Sequence, residues 1–329
     1  MLSTMERWMQ RLADKAPMRA FEQVIGICDV YVSDAGRRRL VLACAEDAKL
    51  MQAVELARER GIILPILIGD KGAIEKAARS VGIDLKTYEL IGAADYEAAL
   101  EQSVELVMAD KADILMRGAV PAVDFLKAVL ARKSELGISG LVTQVSCLEI
   151  PEYHKLLLMS DAAVVIKPTI QEKKEIIENA ISVANALGLR LPKVALMAAV
   201  EIVNPSMEAA LDNAIVAKMG DRGQIRGAII DGPLSLDVAT FKAAAELKGV
   251  KGEVAGDADI LIVNKIEEGN ILYKSLIRFA NAKTGSVLVG ASKPMIITSR
   301  VEVQNNELHS IALAVLLDAF YNLGKQAAA

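Results

Sequence analysis

Residues 227–237 read Gly-Ala-Ile-Ile-Asp-Gly-Pro-Leu-Ser-Leu-Asp, and residues 254–263 read Val-Ala-Gly-Asp-Ala-Asp-Ile-Leu-Ile-Val. Glu-Glu-Gly-Asn-Ile-Leu-Tyr-Lys follows at 267–274 and Pro-Met-Ile-Ile-Thr-Ser-Arg at 294–300. Short apolar runs bounded by glycine and small polar residues are the pattern of strands buried on both faces, as in a parallel sheet covered by helices. In an open α/β sheet the polar residues just past the carboxyl ends of the strands face the crevice where ligands bind. Asp-Gly, Gly-Asn and Ser-Arg stand at such ends here. The stretch 227–300 therefore decides the fold class and says where function is to be sought.

Working outward, strand-like runs alternate with helix-like ones from Arg39 onward. Strands are expected at Arg39–Cys44, Leu64–Ile68 and Asp113–Met116. Helices are expected at Glu46–Arg60, Ala73–Val81, Tyr96–Ala109 and Pro121–Ala131, the last with Pro121 in its first turn, where a missing N–H costs little. A second series has strands at Leu141–Leu148, Ala162–Ile166, Val194–Ala198, Ala228–Ile230, Ile260–Val263 and Ser286–Val289. Its helices are Gln171–Leu187, Met207–Met219, Ser235–Leu247 and Asn270–Ala280. A strand at Met295–Thr298 leads into a C-terminal helix of about two dozen residues, long by the usual helix-length range. This β-α alternation implies parallel strands with right-handed crossovers. Glycine-containing hinges at 137–140 and 290–293 suggest that one domain is inserted in another: residues 1–137 plus 295–329 form the first, and 138–294 the second.

Composition agrees with that class. The chain has 329 residues, more than one ordinary core organises, and is 53% hydrophobic but only 4% aromatic. No apolar run reaches the roughly 18 to 20 residues that span a bilayer, and the N-terminus lacks the apolar core of a secretory signal. A cytoplasmic protein is expected. Net charge is −4, from 38 basic and 42 acidic residues without long like-sign blocks, which argues against a nucleic-acid footprint. Cys28, Cys44 and Cys147 have no paired spacing; Cys44 and Cys147 read as reduced core thiols. With two histidines and no His/Cys cluster, no zinc site is expected.

Several groups could hold an anion. Ser299-Arg300 ends an apolar strand, and a guanidinium offers a planar fork of donors to phosphate or an oxyanion; a strand-terminal salt bridge is the plainer alternative. Gly269-Asn270 reads as a helix start whose N–H groups and dipole would face an anion, with Asn270 as N-cap. Arg117-Gly118 follows a strand, the glycine allowing close approach of a ligand, and Lys127 lies in the next helix. Asp231-Gly232-Pro233 reads as a tight turn at a strand end. The run 171–178 reads as a solvated helix face. No Gly-x-Gly-x-x-Gly follows the first strand and there is no Walker lysine loop.

Taken in order, eight segments resemble the phosphate acetyltransferase/phosphate butyryltransferase family, and its butyryltransferase branch more closely. They are 45–47 (Ala-Glu-Asp), 65–70 (Pro-Ile-Leu-Ile-Gly-Asp), 113–118 (Asp-Ile-Leu-Met-Arg-Gly), 160–163 (Ser-Asp-Ala-Ala), 231–237, 254–260, 268–274 and 298–300 (Thr-Ser-Arg). The resemblance implies a two-domain α/β/α fold like that of isopropylmalate dehydrogenase, with parallel-rich sheets, an interdomain cleft and a homodimeric assembly. It implies reversible acyl transfer between coenzyme A and inorganic phosphate, with acyl-CoA, phosphate and acyl phosphate as the small-molecule partners. No bound cofactor or metal is implied; coenzyme A is a substrate. Arg300 would hold phosphate, Ser299 would donate a hydrogen bond at the reacting centre, and Gly269 and Asn270 would line the phosphate or acyl side, with Asp231 close by. Arg117, Gly118 and Lys127 complete the expected substrate-binding set.

The chain also departs from the family pattern. Ser299-Arg300 continues Val301-Glu302 where Ala-Asp or Ser-Asp is usual, so Glu302 or Glu307 stands where a base is sought. Asn264-Lys265 replaces a common Pro-Asp pair, Arg117 stands in a Met-Lys-Gly segment, and Lys127 replaces a frequent arginine. Two alternatives remain at this point: a non-catalytic sensor of acyl-CoA or acyl phosphate, and a dehydrogenase of the related fold.

Overall fold

The computed structural model describes residues 10, 12, 14, 16–297 and 306–328, with side chains through residue 323. The chain divides into two units, the first taking residues 22–139 and 285 onward, the second 140–284 with the short segment 16–21.

Along the first unit the elements are α1 (Phe21–Ala35), β1 (Arg38–Ala43), α2 (Ala48–Glu59), β2 (Ile63–Gly69), α3 (Lys71–Ser80), β3 (Glu89–Gly92), α4 (Tyr96–Met108), β4 (Ile114–Arg117) and α5 (Ala122–Ala131). Leu40, Val41, Leu42 and Ala43 in β1 have no exposed surface, as a continuous apolar run in a central parallel strand requires. Three aspartates start the helices that leave the strands. Asp47 accepts the Lys49 and Leu50 N–H groups, Asp70 that of Ala73, and Asp95 that of Ala98. Each such N-cap stabilises its helix by about 1 kcal/mol. Pro121 occupies the N-cap of α5 rather than its first turn, with the extended backbone of a cap.

The second unit holds β5 (Thr143–Glu149), β6 (Leu157–Ser160), α6 (Ile170–Ala186), β7 (Lys193–Met197), α7 (Glu208–Asp221), β8 (Ile229–Leu234), α8 (Leu236–Thr240), α9 (Lys242–Leu247), β9 (Ile260–Ile262) and α10 (Ile266–Phe279). Its strands run in the order β5-β6-β9-β7-β8, parallel except for β5 with β6. Leu157, Met159, Ala195, Leu261, Tyr273 and Ile277 belong to the core on one face of this sheet.

The chain then returns through β10 (Lys283–Val289), β11 (Met295–Ile296) and α11 (Asn306–Ala328). In the first unit the order is β3-β2-β1-β4-β11-β10, parallel except for β10 with β11. Ile311 to Leu317 of α11 are fully buried, the all-round apolar pattern of a helix inside a core. The helix lies close because Gly285 has no side chain: a Cβ there would stand 2.8 Å from the His309 carbonyl carbon.

The expected α/β class with parallel-rich sheets is present, and four local expectations are corrected. The strand of the 157–166 region is Leu157–Ser160, and residues 162–166 form a loop. The Asp161 carboxylate gathers the Ala163, Val164 and Val165 N–H groups, donors that a strand would have offered to a neighbour. Asp231-Gly232-Pro233 is no terminal turn but lies inside β8. The extra residue is absorbed by a register shift, Ala195 opposing Asp231 and Met197 opposing Leu234, and Pro233 is tolerated because β8 is an edge strand. The expected helix 235–247 is broken at Phe241, which is extended. Finally, α10 begins at Ile266, so Gly269-Asn270 lies within the helix rather than at its start, and Lys265 is the N-cap.

All three cysteines are free and buried. Among the described residues no helix is long and apolar enough to cross a membrane.

Candidate active site

Parallel strands place their carboxyl ends on one rim, and each unit has such a rim. In the first unit it is built by backbone contact between β1 and β4. Gly118 donates its N–H to the Ala43 carbonyl at 2.8 Å and Ala119 to that of Cys44 at 2.7 Å. Side chains are excluded there: a Cβ on Gly118 would lie 2.0 Å from the Cys44 oxygen and 2.4 Å from that of Ala43. Glu46, next along, accepts the Asp70 N–H at 2.8 Å and so ties the end of β2 to the same rim. Burial, with Glu46 nearby, pushes the Cys44 thiol up to about 12, which keeps it protonated and a poor nucleophile at neutral pH.

Arg117 is 4% exposed, and its Nη1 donates to the Val120 carbonyl, so the guanidinium braces its own loop. Lys127 lies apart from it, 74% exposed and 3.7 Å from Asp124. It borders a depression of about 450 Å³ between α4 and α5 that also carries Glu97, Glu101 and Arg132. Those acids make it a poor seat for a polyanion. Glu307 is 2% exposed and ion-paired with Lys49 at 3.1 Å, tying α11 to α2. Ser299, Arg300 and Glu302 lie outside the described residues.

In the second unit the rim is polar. Ser160 ends β6, and the Asp161 carboxylate accepts four backbone N–H groups. Oδ1 takes those of Ala163 (2.8 Å) and Val164 (3.0 Å), and Oδ2 those of Gln144 (3.1 Å) and Val165 (3.3 Å). Burial pushes this carboxyl up, and the four donors oppose the shift. The loop so formed is the surface on which α10 rests. A Cβ on Gly269 would stand 2.9 Å from the Asp161 carbonyl oxygen and 3.0 Å from Ala162 Cα, while Asn270 Nδ2 donates to the Ala162 carbonyl at 3.4 Å. Gly269 and Asn270, both within α10, therefore rest against one loop. Asp231 is not with them: mid-strand in β8, it accepts the Gly232 N–H at 2.8 Å and faces Gly252. Burial is the main cause that pushes its carboxyl up.

Sequence reasoning missed Lys173, placed in a solvated face yet 1% exposed. Its Nζ donates to Asn213 Oδ1 at 2.9 Å and Asn264 Oδ1 at 3.0 Å, with Asp212 Oδ2 at 3.9 Å. Burial pushes the ammonium down; Asp212, Glu268 and Glu208 pull it back up. The signal was spacing: Lys173 stands three and four residues before Ile176 and Ile177, on the buried stripe of α6. Lys173, Asn264, Lys265, Asp212 and Glu268 border a cavity of about 240 Å³. Among the described residues no group of three or more His, Cys, Asp or Glu side chains could hold a metal ion.

Comparison with known proteins fits these two rims. A family model described as phosphate acetyl/butaryl transferase matches residues 96–315. A phosphate butyryltransferase of Clostridium acetobutylicum is 38% identical over 300 residues, 91% of this chain and 98% of that protein. One from Clostridium beijerinckii is 40% identical over 282 residues, 86% of this chain and 93% of its own. The crystal structure of a branched-chain phosphotransacylase from Enterococcus faecalis V583 superposes with a TM-score of 0.76 at 31% identity, covering 85% of this chain and 99% of the other. Neither the sensing nor the dehydrogenase alternative is carried by these relatives. With the family model matched from α4 to the buried core of α11 and relatives 38% and 40% identical over 91% and 86% of the chain, the chain belongs to the phosphate acetyltransferase/phosphate butyryltransferase family.

Proposed function

We propose that this chain transfers a short acyl group, butyryl-like in size, reversibly between coenzyme A and inorganic phosphate, as a homodimer in the cytoplasm. The observation that carries the reading is the end-to-end likeness to two phosphate butyryltransferases, which cover 91% and 86% of this chain. In one direction the thiol sulfur attacks the carbonyl carbon of the acyl phosphate. The carbon–oxygen bond to phosphate breaks, phosphate leaves, and the thiol proton goes to a base. In the other direction a phosphate oxygen attacks the thioester. Both substrates are held at once, so the gain comes from positioning two anions and from donors at the developing oxyanion. Cys44, buried and pushed up to about 12, offers no ready thiolate on which a thioester could form. In this reading Arg300 holds phosphate, Ser299 donates at the reacting centre, Glu302 accepts the thiol proton, and Gly269 and Asn270 line the phosphate or acyl side. Leu211 and Ile215, exposed one turn apart on α7, support a self-association face; light scattering should give twice the 35.2 kDa of one chain.

The test is thiol release from acetyl-, propionyl- and butyryl-CoA on adding phosphate, with the fastest release expected from butyryl-CoA. No release from any of the three overturns the reading. Arg300→Ala is expected to lower release on the order of 100-fold or more, as loss of a transition-state charge contact does, with the melting temperature unchanged. Retained turnover would remove Arg300 from the mechanism.

A further inference from the structure

The ladder between β7 and β9 ends at Leu196 opposite Ile262. Beyond that rung the strands part, and the next carbonyl of β7, that of Met197, is taken by side chains. Asn213 Nδ2 donates to it at 2.8 Å and Asn264 Nδ2 at 2.7 Å. Lys173 Nζ joins the two Oδ1 atoms from the other side, at 2.9 and 3.0 Å. The result is a closed ring of hydrogen bonds, Lys173–Asn213–Met197–Asn264, linking α6, α7, the end of β7 and the loop from β9 to α10. All three side chains are buried, with relative exposures of 1%, 1% and 8%.

The ring fixes which way the Asn264 amide faces. An ammonium has only donors, so it demands the oxygen of each amide and directs both Nδ2 groups to the Met197 carbonyl. Asn264 Nδ2 also reaches Glu268 Oε2 at 3.1 Å, and the Asn264 N–H meets the same oxygen at 3.1 Å. Glu268 is thereby held in the first turn of α10, directly before Gly269-Asn270. Without the ammonium, the buried Oδ1 atoms of Asn264 and Asn213 lose their donor, and the loop before α10 loses its tie to α6. A purely structural polar core could have been built anywhere in this unit. This one ends on the segment that the acyltransfer reading places on the phosphate or acyl side.

We propose that Lys173 is a positioning residue for acyl transfer, holding Gly269-Asn270 in register through Asn264. The role in turnover rests on the function proposed above; the tie between Lys173 and the β9–α10 loop does not.

Two readouts separate these. Hydrogen exchange on Lys173→Met should show faster exchange in peptides covering residues 263–273, with peptides from β1 and β2 unchanged. Unchanged exchange at 263–273 overturns the tie whether or not the protein turns over. In the thiol-release assay, Lys173→Met should raise KM for one of the two substrates, phosphate or butyryl-CoA, about tenfold or more while KM for the other moves less than twofold. A melting shift without this split marks a merely structural residue and overturns the proposal. Asn264→Ala should raise the same KM similarly, and the double variant no further than the larger single one, since the two residues act in series. Effects that multiply would overturn action through Asn264. If Lys173→Met does not fold, Asn264→Ala decides alone by the same exchange and KM measurements. If the wild-type protein releases no thiol, the acyltransferase reading fails and the role in turnover with it, while hydrogen exchange still decides the tie between Lys173 and the β9–α10 loop.

Discussion

Gly118→Ala is expected to lower the melting temperature by about 10 °C. The added Cβ would stand 2.0 Å from the Cys44 oxygen and 2.4 Å from the Ala43 oxygen, and both are backbone atoms that no rotamer change can move. Relief requires β4 to withdraw from β1, which breaks the bonds from the Gly118 and Ala119 N–H groups. Stranding two such buried pairs costs roughly 1–3 kcal/mol each, and residual crowding adds roughly 1–3 more. That total, on the order of 4 kcal/mol or above, is a large part of the ~5–15 kcal/mol by which ordinary proteins are stable, at about 2–4 °C per kcal/mol for chains of roughly 150–250 residues. Gly26→Ala is the control, because a Cβ there meets nothing within 4 Å and the position is inside α1, where alanine is favoured by about 1 kcal/mol. A Gly118→Ala melting point within two or so degrees of that control would show that the rim yields and that close β1–β4 contact does not hold it.

Asp161→Asn should be nearly as damaging despite its equal size. Each carboxylate oxygen accepts two backbone N–H groups. An amide offers one oxygen, so either orientation turns an NH₂ toward two donors and leaves them unmet. At roughly 1–3 kcal/mol for each stranded donor, offset in part by removal of a buried charge, a net loss of about 2–4 kcal/mol is expected by urea denaturation. Because Gly269 and Asn270 rest on this loop, turnover should fall by tenfold or more even well below the denaturation midpoint. Wild-type turnover in a folded Asp161→Asn protein would separate the loop from the site.

Which of these features could be read from the sequence follows from what each depends on. β1, β2, β7 and β9 were legible because a strand buried on both faces needs an unbroken apolar run, and Leu40–Ala43 or Ile260–Ile262 can be little else. The order of the eight motif segments made the family legible as well. Residues 162–166 were misread because their composition is that of a strand, while the fate of their N–H groups depends on one carboxylate just upstream. The start of α10 was misread because Gly-Asn punctuates most helices at an end; the acidic pair Glu267-Glu268 in its first turn was the better signal. Lys173 was hidden by its charge among charged neighbours, and only the acceptors on α7 and beyond β9 make its burial tolerable. Such acceptors are remote in sequence, 40 and 91 residues away, so no local pattern records them.

The split of the first unit along the chain has a consequence for synthesis. During translation the segment 140–284 emerges complete, while the first unit still lacks β11, the strand that stands between β4 and β10, and the buried helix α11. Until the last residues arrive, β4 has an unpaired edge, and the apolar surface that α11 will cover has nothing on it. Open strand edges and uncovered apolar surface are what drive aggregation of partly made chains. The unit that is begun first is therefore the last to be finished, and a ribosome that stalls between residues 285 and 305 leaves a chain whose second unit is whole and whose first unit is a sticky remnant.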